Sequence, residues 1–428
     1  MQIYNYPLEE DELGLIRHLV PEYYIDKNID KNEISVEYVI RFLQNNLNYL
    51  LGLFLNGGFS YMGFALYPFV KDLSKENTRK IKRLKKVAVF LNNNGYDFSK
   101  SIKKFKERIQ SKDFAEIISS LYKDFSLIKN KSTNSIKKAK CKELCIDTYK
   151  KSDLIYLKPL HKLKNYANAN LKQYLSGFYL HGSLATKDYI KGWSDIDSLS
   201  VVSKKSIESP RALFELRNKF YFMRYFFYQI DPLQHHGSMI ISEYDLGNYC
   251  QAYFPVPVFN YAKSFFKNDK INEFYARDFS SEAVKNLFWF VSYFRRLNIE
   301  KNFNLGSYDT KVLLHSITLF PTLYLQTRGI LVYKKFSFDI AKKDFKKSDW
   351  EVVDKASSIR SNWSKLQVMP LISSFSKINP LLCYQFNFRI IDLLGNTNKI
   401  DSKMFIENMF KLSEEAWNKI KEDAKRKI

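Results

Sequence analysis

The sequence predicts a mixed α/β protein in which a small central sheet lies between two helical regions. Residues 1 to about 150 repeat apolar residues at helical spacing, as in VEYVIRFLQNNLNYLLGLF and FAEIISSLYKDFSLI. Near residue 150 the pattern changes to short alternations of strand, turn and helix, and from about residue 280 helical spacing returns. We therefore expect an N-terminal helical region over 1–150, an α/β (α+β) core over 151–260 and a C-terminal helical domain over 261–428.

Length and composition place the chain among globular proteins. At 428 residues it is too long for one ordinary core, and its 45% hydrophobic and 16% aromatic residues exclude wholesale disorder. The formal net charge of +23 would suit a phosphate-bearing partner. Most of that charge is lysine spread along the whole chain, however, and biased codon usage produces the same pattern without any partner.

The cysteines and the N-terminus indicate a reduced, cytoplasmic setting. Four cysteines are too few and too scattered for a disulfide framework: Cys141, Cys145, Cys250 and Cys383. The first residues, MQIYNYPLEEDELG, lack the basic, apolar and small-residue order of a signal peptide. We therefore expect cytoplasmic localisation.

One uncharged segment is long enough to cross a bilayer. No charged residue occurs from Phe42 to Val70. Asparagines, glycines and a proline interrupt the segment, and Asn56-Gly57-Gly58 is typical of a turn. We expect two buried helices joined by this turn and no membrane partner, with a membrane role as the alternative.

The middle and C-terminal regions predict a defined order of elements. A helix over LHKLKNYANANLKQYL leads to the strand GFYL, a tight HGS turn, a short helix and the strand DIDSLSVVS. Ser209 and Pro210 are typical of the N-cap and first residue of a helix, and PLQHHGSMIIS is the next predicted strand. The basic stretch at 129–140 predicts a linker or exposed loop. Further helices are predicted over SSEAVKNLFWFVSYFRRL, over DTKVLLHSITLFPTLYLQTRG ending at Gly329, and over MFIENMFKLSEEAWNKIKED.

Two aspartates stand one residue apart in the strand DIDSLSVVS. Because side chains alternate faces along a strand, Asp195 and Asp197 share one face with Leu199 and Val201. Two adjacent carboxylates repel each other, and burying them is costly without a compensating charge. A divalent cation such as Mg²⁺ would supply that charge and keep positions for water and phosphate oxygens. Upstream, Gly182 allows close backbone approach, and the Ser183 hydroxyl with nearby amides is a candidate phosphate ligand.

These residues carry a family resemblance. HGSLATKDYIKGWSDIDSLSV resembles the signature of the DNA polymerase β nucleotidyltransferase superfamily: an apolar strand, Gly followed by Gly or Ser, about ten residues, then Asp-apolar-Asp-apolar. Here eleven residues lie between Ser183 and Asp195. In character the chain is closest to bacterial small-molecule nucleotidyltransferases. The resemblance covers about 90 residues. It implies a small mixed-sheet nucleotidyltransferase core, Mg²⁺ or Mn²⁺, and transfer of a nucleoside monophosphate from an NTP with release of pyrophosphate.

The superfamily adds a third carboxylate from a later strand. Asp231 is at about the right interval, so we expect Asp195, Asp197 and Asp231 to be the catalytic metal ligands, although Pro232 suits the beginning of a strand better than its middle. The alternatives for the third ligand follow Asp231 in the sequence: His235, His236, Glu243 and Asp245.

Further contacts to the nucleotide are expected from basic side chains. The segment LFPTLYLQTRGILVYKKFSFDIAKKDF is similar to the helical half of small-molecule nucleotidyltransferases, which suggests that Lys334 or Lys335 reaches the triphosphate. Together with Gly182 and Ser183, we expect Lys187, His236 and Lys335 at the nucleotide.

The sequence leaves the acceptor open. The first hypothesis is a nucleotidyltransferase acting on a small molecule or a protein. Nucleotide addition to RNA ends is the second, and it ranks lower because no RNA-binding module is recognisable. A non-catalytic nucleotide or nucleic-acid binder with the same fold is the third.

Overall fold

A computed structural model describes residues 35–56, 75–107, 109–128, 135–234, 236–267, 271–301, 303–363 and 400–425. The protein is mixed α/β, with helices and mixed sheets, as the sequence predicts. Within the described residues, no helix is long and apolar enough to cross a membrane.

The central sheet has five strands in the order β2-β6-β3-β4-β5. Strand β3 pairs antiparallel with both of its neighbours, whereas β4 pairs parallel with β5, so the sheet is mixed. A separate two-stranded sheet joins β1 to β7. The strands are β1 (Ser135–Lys140), β2 (Lys142–Glu143), β3 (Leu175–His181), β4 (Asp197–Val202), β5 (Met239–Ser242), β6 (Lys263–Ser264) and β7 (Ile271–Ala276).

Helices precede, connect and follow these strands. The N-terminal ones are α1 (Val36–Leu55), α2 (Lys75–Asn93), α3 (Ser99–Ile102) and α4 (Ser111–Ser126). Those among the sheet strands are α5 (Lys158–Asn170), α6 (Gly182–Thr186), α7 (Lys204–Ile207), α8 (Pro210–Ile230) and α9 (Val256–Phe259). The C-terminal ones are α10 (Ser280–Glu300), α11 (Ser307–Thr327), α12 (Lys334–Ala341), α13 (Lys347–Ser361) and α14 (Ser402–Lys425).

Helix boundaries follow the local signals in the sequence. Ser209 caps α8, because its Oγ accepts a hydrogen bond from the Ala212 amide at 3.2 Å, and Pro210 is the first helical residue. Gly329 takes the left-handed conformation, at φ +74°, just after α11. These signals therefore act as predicted.

Residues 135–140 and the segment PLQHHGSMIIS differ from the sequence prediction. Residues 135–140, expected in a loop, form strand β1, in which only Ala139 is buried. These residues form a strand because their backbone pairs with β7. Their side chains are mostly exposed, so the sequence has no apolar alternation from which the strand could be predicted. In PLQHHGSMIIS the strand is limited to Met239–Ser242, because Asp231 begins a turn closed by a bond from the Gln234 amide to the Asp231 carbonyl.

Three hydrophobic cores hold these elements together. The first unites the N-terminal helices with one face of the sheet and includes Leu43, Phe114, Phe178, Leu180 and Phe220. A second lies among the C-terminal helices and includes Val291, Phe320, Trp350, Ile406 and Trp417. The third joins the other face of the sheet to β7 and includes Tyr179, Leu199, Val201, Phe259 and Phe274. Strands β2 and β6 lie just outside the predicted 151–260 boundaries of the core.

The uncharged segment that begins at Phe42 forms most of α1. Its polar side chains bond within the protein: Gln44 donates to Asp245 at 3.0 Å, and Asn56 donates to the Ser238 carbonyl at 2.9 Å. The helix ends at Leu55, where the predicted turn begins. The rest of that turn and the expected second helix lie outside the described residues.

Candidate metal centre

The centre lies where β3 ends and β4 begins. His181, the last residue of β3, pairs with Asp197, the first residue of β4, and α6 starts at the next residue, Gly182. A Cβ atom on Gly182 would lie 2.0 Å from Asp197 Oδ2, and Gly182 has φ +70°. Both the close approach and the left-handed backbone therefore require glycine here.

Two carboxylates and one imidazole converge at this point. His236 Nε2 lies 3.3 Å from Asp195 Oδ2 and 3.2 Å from Asp197 Oδ1. One possible ligand atom from each of the three side chains lies within 4.8 Å of the other two. Among the described residues this is the only group of three or more His, Cys, Asp or Glu side chains that converge so closely. The Asp195 side chain is 10% exposed, against 24% for Asp197 and 33% for His236, so the group opens toward solvent on the His236 side.

Gln234 holds the two segments that carry these ligands. Its buried amide accepts from the Ile196 amide at 3.1 Å and donates to the Ile196 carbonyl at 2.9 Å. It also donates to the His236 carbonyl at 3.1 Å. The backbone amide and carbonyl of Ile196 therefore both bond to the Gln234 side chain. Strand β4 begins only at Asp197, so Asp195 precedes the strand in which the sequence predicted it to lie.

Two serines link α6 to the segment before Asp195. The Ser183 hydroxyl, expected at a phosphate, donates to Ser194 Oγ at 2.8 Å. Ser194 Oγ in turn accepts from the Ile190 amide at 2.9 Å. These bonds fix the distance between the glycine turn and the aspartates.

The imidazole of His236 balances the two carboxylates. Burial lowers the pKa of His236, but its hydrogen bonds and the charges of Asp195 and Asp197 outweigh burial and raise the pKa well above the usual value. Nδ1 donates to the Gly237 carbonyl at 3.0 Å, so both ring nitrogens have acceptors for a proton. For the neighbouring His181, burial lowers the pKa. Without a metal, His236 is thus the cationic partner of the aspartates.

The structure does not bring Asp231 into this group. Asp231 Oδ2 and Lys311 Nζ form a buried ion pair at 2.6 Å, and Asp231 Oδ1 accepts from the Leu233 amide at 3.0 Å. Burial raises the pKa of Asp231 to about 6 although Lys311 opposes the shift. Lys311 Nζ also donates to the Trp193 carbonyl at 2.7 Å, so the pair anchors the segment that leads to Asp195.

The other candidates for a third ligand have different positions. Glu243 accepts from the Lys204 amide at 2.6 Å, and Asp245 is buried, where it accepts from Ser242 and Gln44. His235 lies outside the described residues. His236 is therefore the predicted candidate that completes the group.

The predicted lysines divide between two places. Lys187 Nζ donates to the Thr148 carbonyl at 2.9 Å, and Lys335 pairs with Asp188 at 2.8 Å on the surface. Lys334 is half-buried and donates to Thr318 Oγ1 at 3.2 Å. Burial, together with the charge of Arg360, lowers the pKa of Lys334 to about 7, against the opposing effect of the two carboxylates. Lys334 thus lies within the electrostatic influence of the centre.

Arg360 is a residue of this site that the sequence did not indicate. It belongs to α13, and its guanidinium lies 5.2 Å from the centre of the Trp193 ring. Burial lowers the pKa of Arg360, whereas Asp195 and Asp197 raise it. Nothing in SSIRSNW marks this arginine, because its position depends on how the C-terminal helices pack.

The chain was compared with known proteins. No protein-family model matches it, and no match was found among curated proteins or solved structures. The choice of function therefore depends on the geometry of this site.

Proposed function

We propose that this protein is a metal-dependent nucleotidyltransferase that moves a nucleoside monophosphate from an NTP to an acceptor. The observation that carries the proposal is the convergence of Asp195, Asp197 and His236. Gly182 lies beside them, and its lack of a side chain leaves room for the Asp197 carboxylate. The signature in the sequence, which contains Asp195, Asp197 and Gly182, supports the proposal as well.

The donor set fits Mg²⁺ or Mn²⁺. Carboxylate oxygens are the ligands such hard cations prefer, and Mn²⁺ also accepts an imidazole nitrogen. Asp195, Asp197 and His236 would hold the ion, with His236 in the place that the sequence assigned to Asp231. When bound, the cation supplies neutralising charge for the triphosphate and for the attacking and leaving oxygens.

The chain's own residues account for binding and proton balance. Lys334 and Arg360 are basic side chains within electrostatic range of the carboxylates, and their N–H groups are suited to triphosphate oxygens, whose negative charge would favour protonated Lys334. His236 Nε2 donates to the carboxylates when no metal is present and must release its proton before it can ligate a cation. The Lys311 and Asp231 pair holds the Trp193 segment in place, and Asp231 is not one of the three grouped ligands.

The proposed reaction is a substitution at phosphorus. An acceptor oxygen forms a bond to the α-phosphorus of the NTP, the bond from that phosphorus to the bridging oxygen breaks, and pyrophosphate leaves while the acceptor releases its proton. A small molecule or a protein remains the favoured acceptor class, and a non-catalytic nucleotide binder is the outcome if no transfer occurs.

The test is transfer of label from each α-³²P-labelled NTP. The full chain is incubated with Mg²⁺ or Mn²⁺ and with small-molecule, protein or RNA fractions, and pyrophosphate release is followed in parallel. We expect Asp195→Asn with Asp197→Asn to reduce transfer by at least about 100-fold. The control Asp339→Asn removes an exposed carboxylate of α12 and should leave transfer unchanged. Equal transfer by the double variant, or no transfer with any NTP, contradicts the proposal.

A further inference from the structure

A basic cleft opens at the C-terminal end of α6. Its volume is about 620 Å³, and its walls come from β2, α6, β6, the segment after α9 and the start of α12. Four lysines line it, and we call it the lysine cleft: Lys142, Lys187, Lys263 and Lys335. The cleft thus lies at the end of α6 opposite Gly182.

The charge of the lysine cleft is poorly balanced by the protein. Its one lining carboxylate, Glu143, pairs with Lys164 at 2.7 Å. Burial and the charges of Lys142 and Lys187 lower the pKa of Lys263, which shows that like charges crowd one another here. Lys335 pairs with Asp188 at 2.8 Å, whereas no carboxylate in the part of the chain that the structure describes forms an ion pair with Lys142, Lys187 or Lys263. Such a cleft attracts an anion.

Aromatic rings form one wall of the cleft. Tyr261 and Tyr333 stack with ring centroids 4.8 Å apart and planes at 26°, and the Phe336 ring lies 5.8 Å from Tyr261. Tyr261 is 37% exposed and Phe336 is 46% exposed. Exposed rings beside lysines suit a ligand that carries both a flat ring and a phosphate.

The cleft is close to the metal centre but separate from it. Ala185 and Lys187, which line the cleft, lie three and five residues after Gly182, so at a rise of about 1.5 Å each the cleft is roughly 4 to 8 Å along α6 from the turn, and its lining includes none of Asp195, Asp197 and His236. Tyr333 lines the cleft, whereas the next residue, Lys334, lies within the influence of Asp195 and Asp197. A ligand in the cleft can therefore extend a group to the centre.

We propose that the lysine cleft binds a nucleotide unit of the acceptor, its phosphate among the lysines and its base against Tyr261 and Phe336. The role of this ligand as the acceptor rests on the proposed function, whereas its binding in the lysine cleft does not. Free mononucleotides and the end of a single-stranded polynucleotide share this chemistry, so the experiment uses one probe of each kind.

The experiment measures binding to the full chain by fluorescence anisotropy. The probes are fluorescent AMP and a fluorescent single-stranded RNA hexamer, with Mg²⁺ and a saturating non-hydrolysable ATP analogue present to fill the metal centre. The test variant is Lys142→Gln with Lys263→Gln. Its control, Lys162→Gln with Lys172→Gln, removes the same charge from exposed positions at and just after α5.

We expect the test variant to weaken binding of at least one probe by at least about tenfold, which is the loss expected for a charge-assisted hydrogen bond. The control should bind as the wild type does. AMP binding identifies a free mononucleotide as the source, and tighter hexamer binding identifies a polynucleotide end. Unchanged binding in the test variant, or displacement of AMP by the ATP analogue, overturns the proposal.

A second variant separates this inference from the proposed function. Asp195→Asn with Asp197→Asn changes no lining residue of the cleft, so it should bind the probes as the wild type does, whether or not it transfers nucleotides. If Lys142→Gln with Lys263→Gln also weakened binding of the ATP analogue, the cleft would be part of the NTP site, and this would contradict a separate acceptor site.

Discussion

At Gly182 the backbone passes so close to Asp197 that one added carbon atom would collide with the carboxylate. The separation between that carbon and Asp197 Oδ2 would be 2.0 Å, and the backbone is left-handed as well. The residue therefore has two reasons to be glycine, one conformational and one specific to the site.

Replacing Gly182 separates these two reasons. We expect Gly182→Ala to weaken Mn²⁺ binding by at least about tenfold, because the new methyl group displaces Asp197. Gly95→Ala is the matched control, since Gly95 also has positive φ, +88°, but nothing lies within 4 Å of its added carbon. Gly95→Ala should lose about 1–2 kcal/mol of folding free energy from backbone strain, and Gly182→Ala at least as much, because the collision with Asp197 adds to the strain. Titration calorimetry with Mn²⁺ measures the affinity, and equal affinities for the two variants would contradict the close approach.

Cys141 gives a pH-dependent test of residue burial. Burial raises the pKa of its thiol from 9.0 to about 12, and Sγ donates to the Phe259 carbonyl at 3.3 Å. Above pH 9 the unfolded chain loses the thiol proton whereas the folded chain keeps it, so the free energy of unfolding should decrease from pH 9 toward pH 12. Iodoacetamide at pH 8 should modify the exposed Cys145 well before Cys141, as peptide mapping would show. Equal rates would place Cys141 at the surface.

The sequence predicted some site residues and not others for a physical reason. Asp195, Asp197 and Gly182 belong to one local motif, so strand alternation and the family resemblance indicated them from the sequence. His236 was predicted near the nucleotide, but its meeting with both carboxylates depends on β5 pairing beside β4. Arg360 comes from a distant helix. Asp231 was assigned to the metal from its interval after Asp197, and its actual partner, Lys311, lies 80 positions further along the chain, where no local pattern marks it.

Among the secondary-structure elements, helix caps and the helical spacing of core residues were the features best predicted from the sequence. Helix α8 begins where Ser209 and Pro210 indicated, and α11 ends before Gly329. Strand β1 was missed because its exposed lysines carry no apolar alternation and only its partner β7 makes it a strand. Local chemistry is visible in a sequence, whereas long-range backbone pairing is not.

The cap of α8 allows a direct stability test. Ser209→Ala should lower the free energy of unfolding by about 1 kcal/mol, because the Ala212 amide loses its acceptor. Ser361→Ala provides the control, since its exposed hydroxyl bonds only within the last turn of α13. Urea unfolding measures both variants. A Ser209→Ala variant as stable as the control would show that the cap contributes nothing.

The Lys311 and Asp231 pair connects α11 to the end of α8. Lys311→Met or Asp231→Asn should each cost about 3–5 kcal/mol, because each leaves a buried group without its partner. The double variant should cost clearly less than the sum of the two. Lys342→Met, which breaks a surface pair with Asp354, should cost less than about 1 kcal/mol. Additive losses in the double variant would contradict a coupled buried pair.

For the whole molecule, the sequence predicted the fold class but not how the helical regions pack against the central sheet. The N-terminal helices were expected as a region of their own, yet they share a hydrophobic core with one face of the sheet. The C-terminal core includes Trp193 and Leu233, which lie two residues before Asp195 and three residues before His236 in the sequence. Trp193 packs edge to face on Trp363 at 5.1 Å. The C-terminal region therefore packs against the segments that lead to Asp195 and His236.

The central claim is that Asp195, Asp197 and His236 bind a divalent cation for use with an NTP. Its most direct test is electron paramagnetic resonance of Mn²⁺ titrated into the full chain, with and without a non-hydrolysable NTP analogue. We predict bound Mn²⁺ in the wild type and in Asp339→Asn, tighter binding with the analogue, and at least about tenfold weaker binding in Asp195→Asn and in His236→Gln. Mn²⁺ binding that is absent from the wild type, or unchanged in these two variants, would contradict the claim.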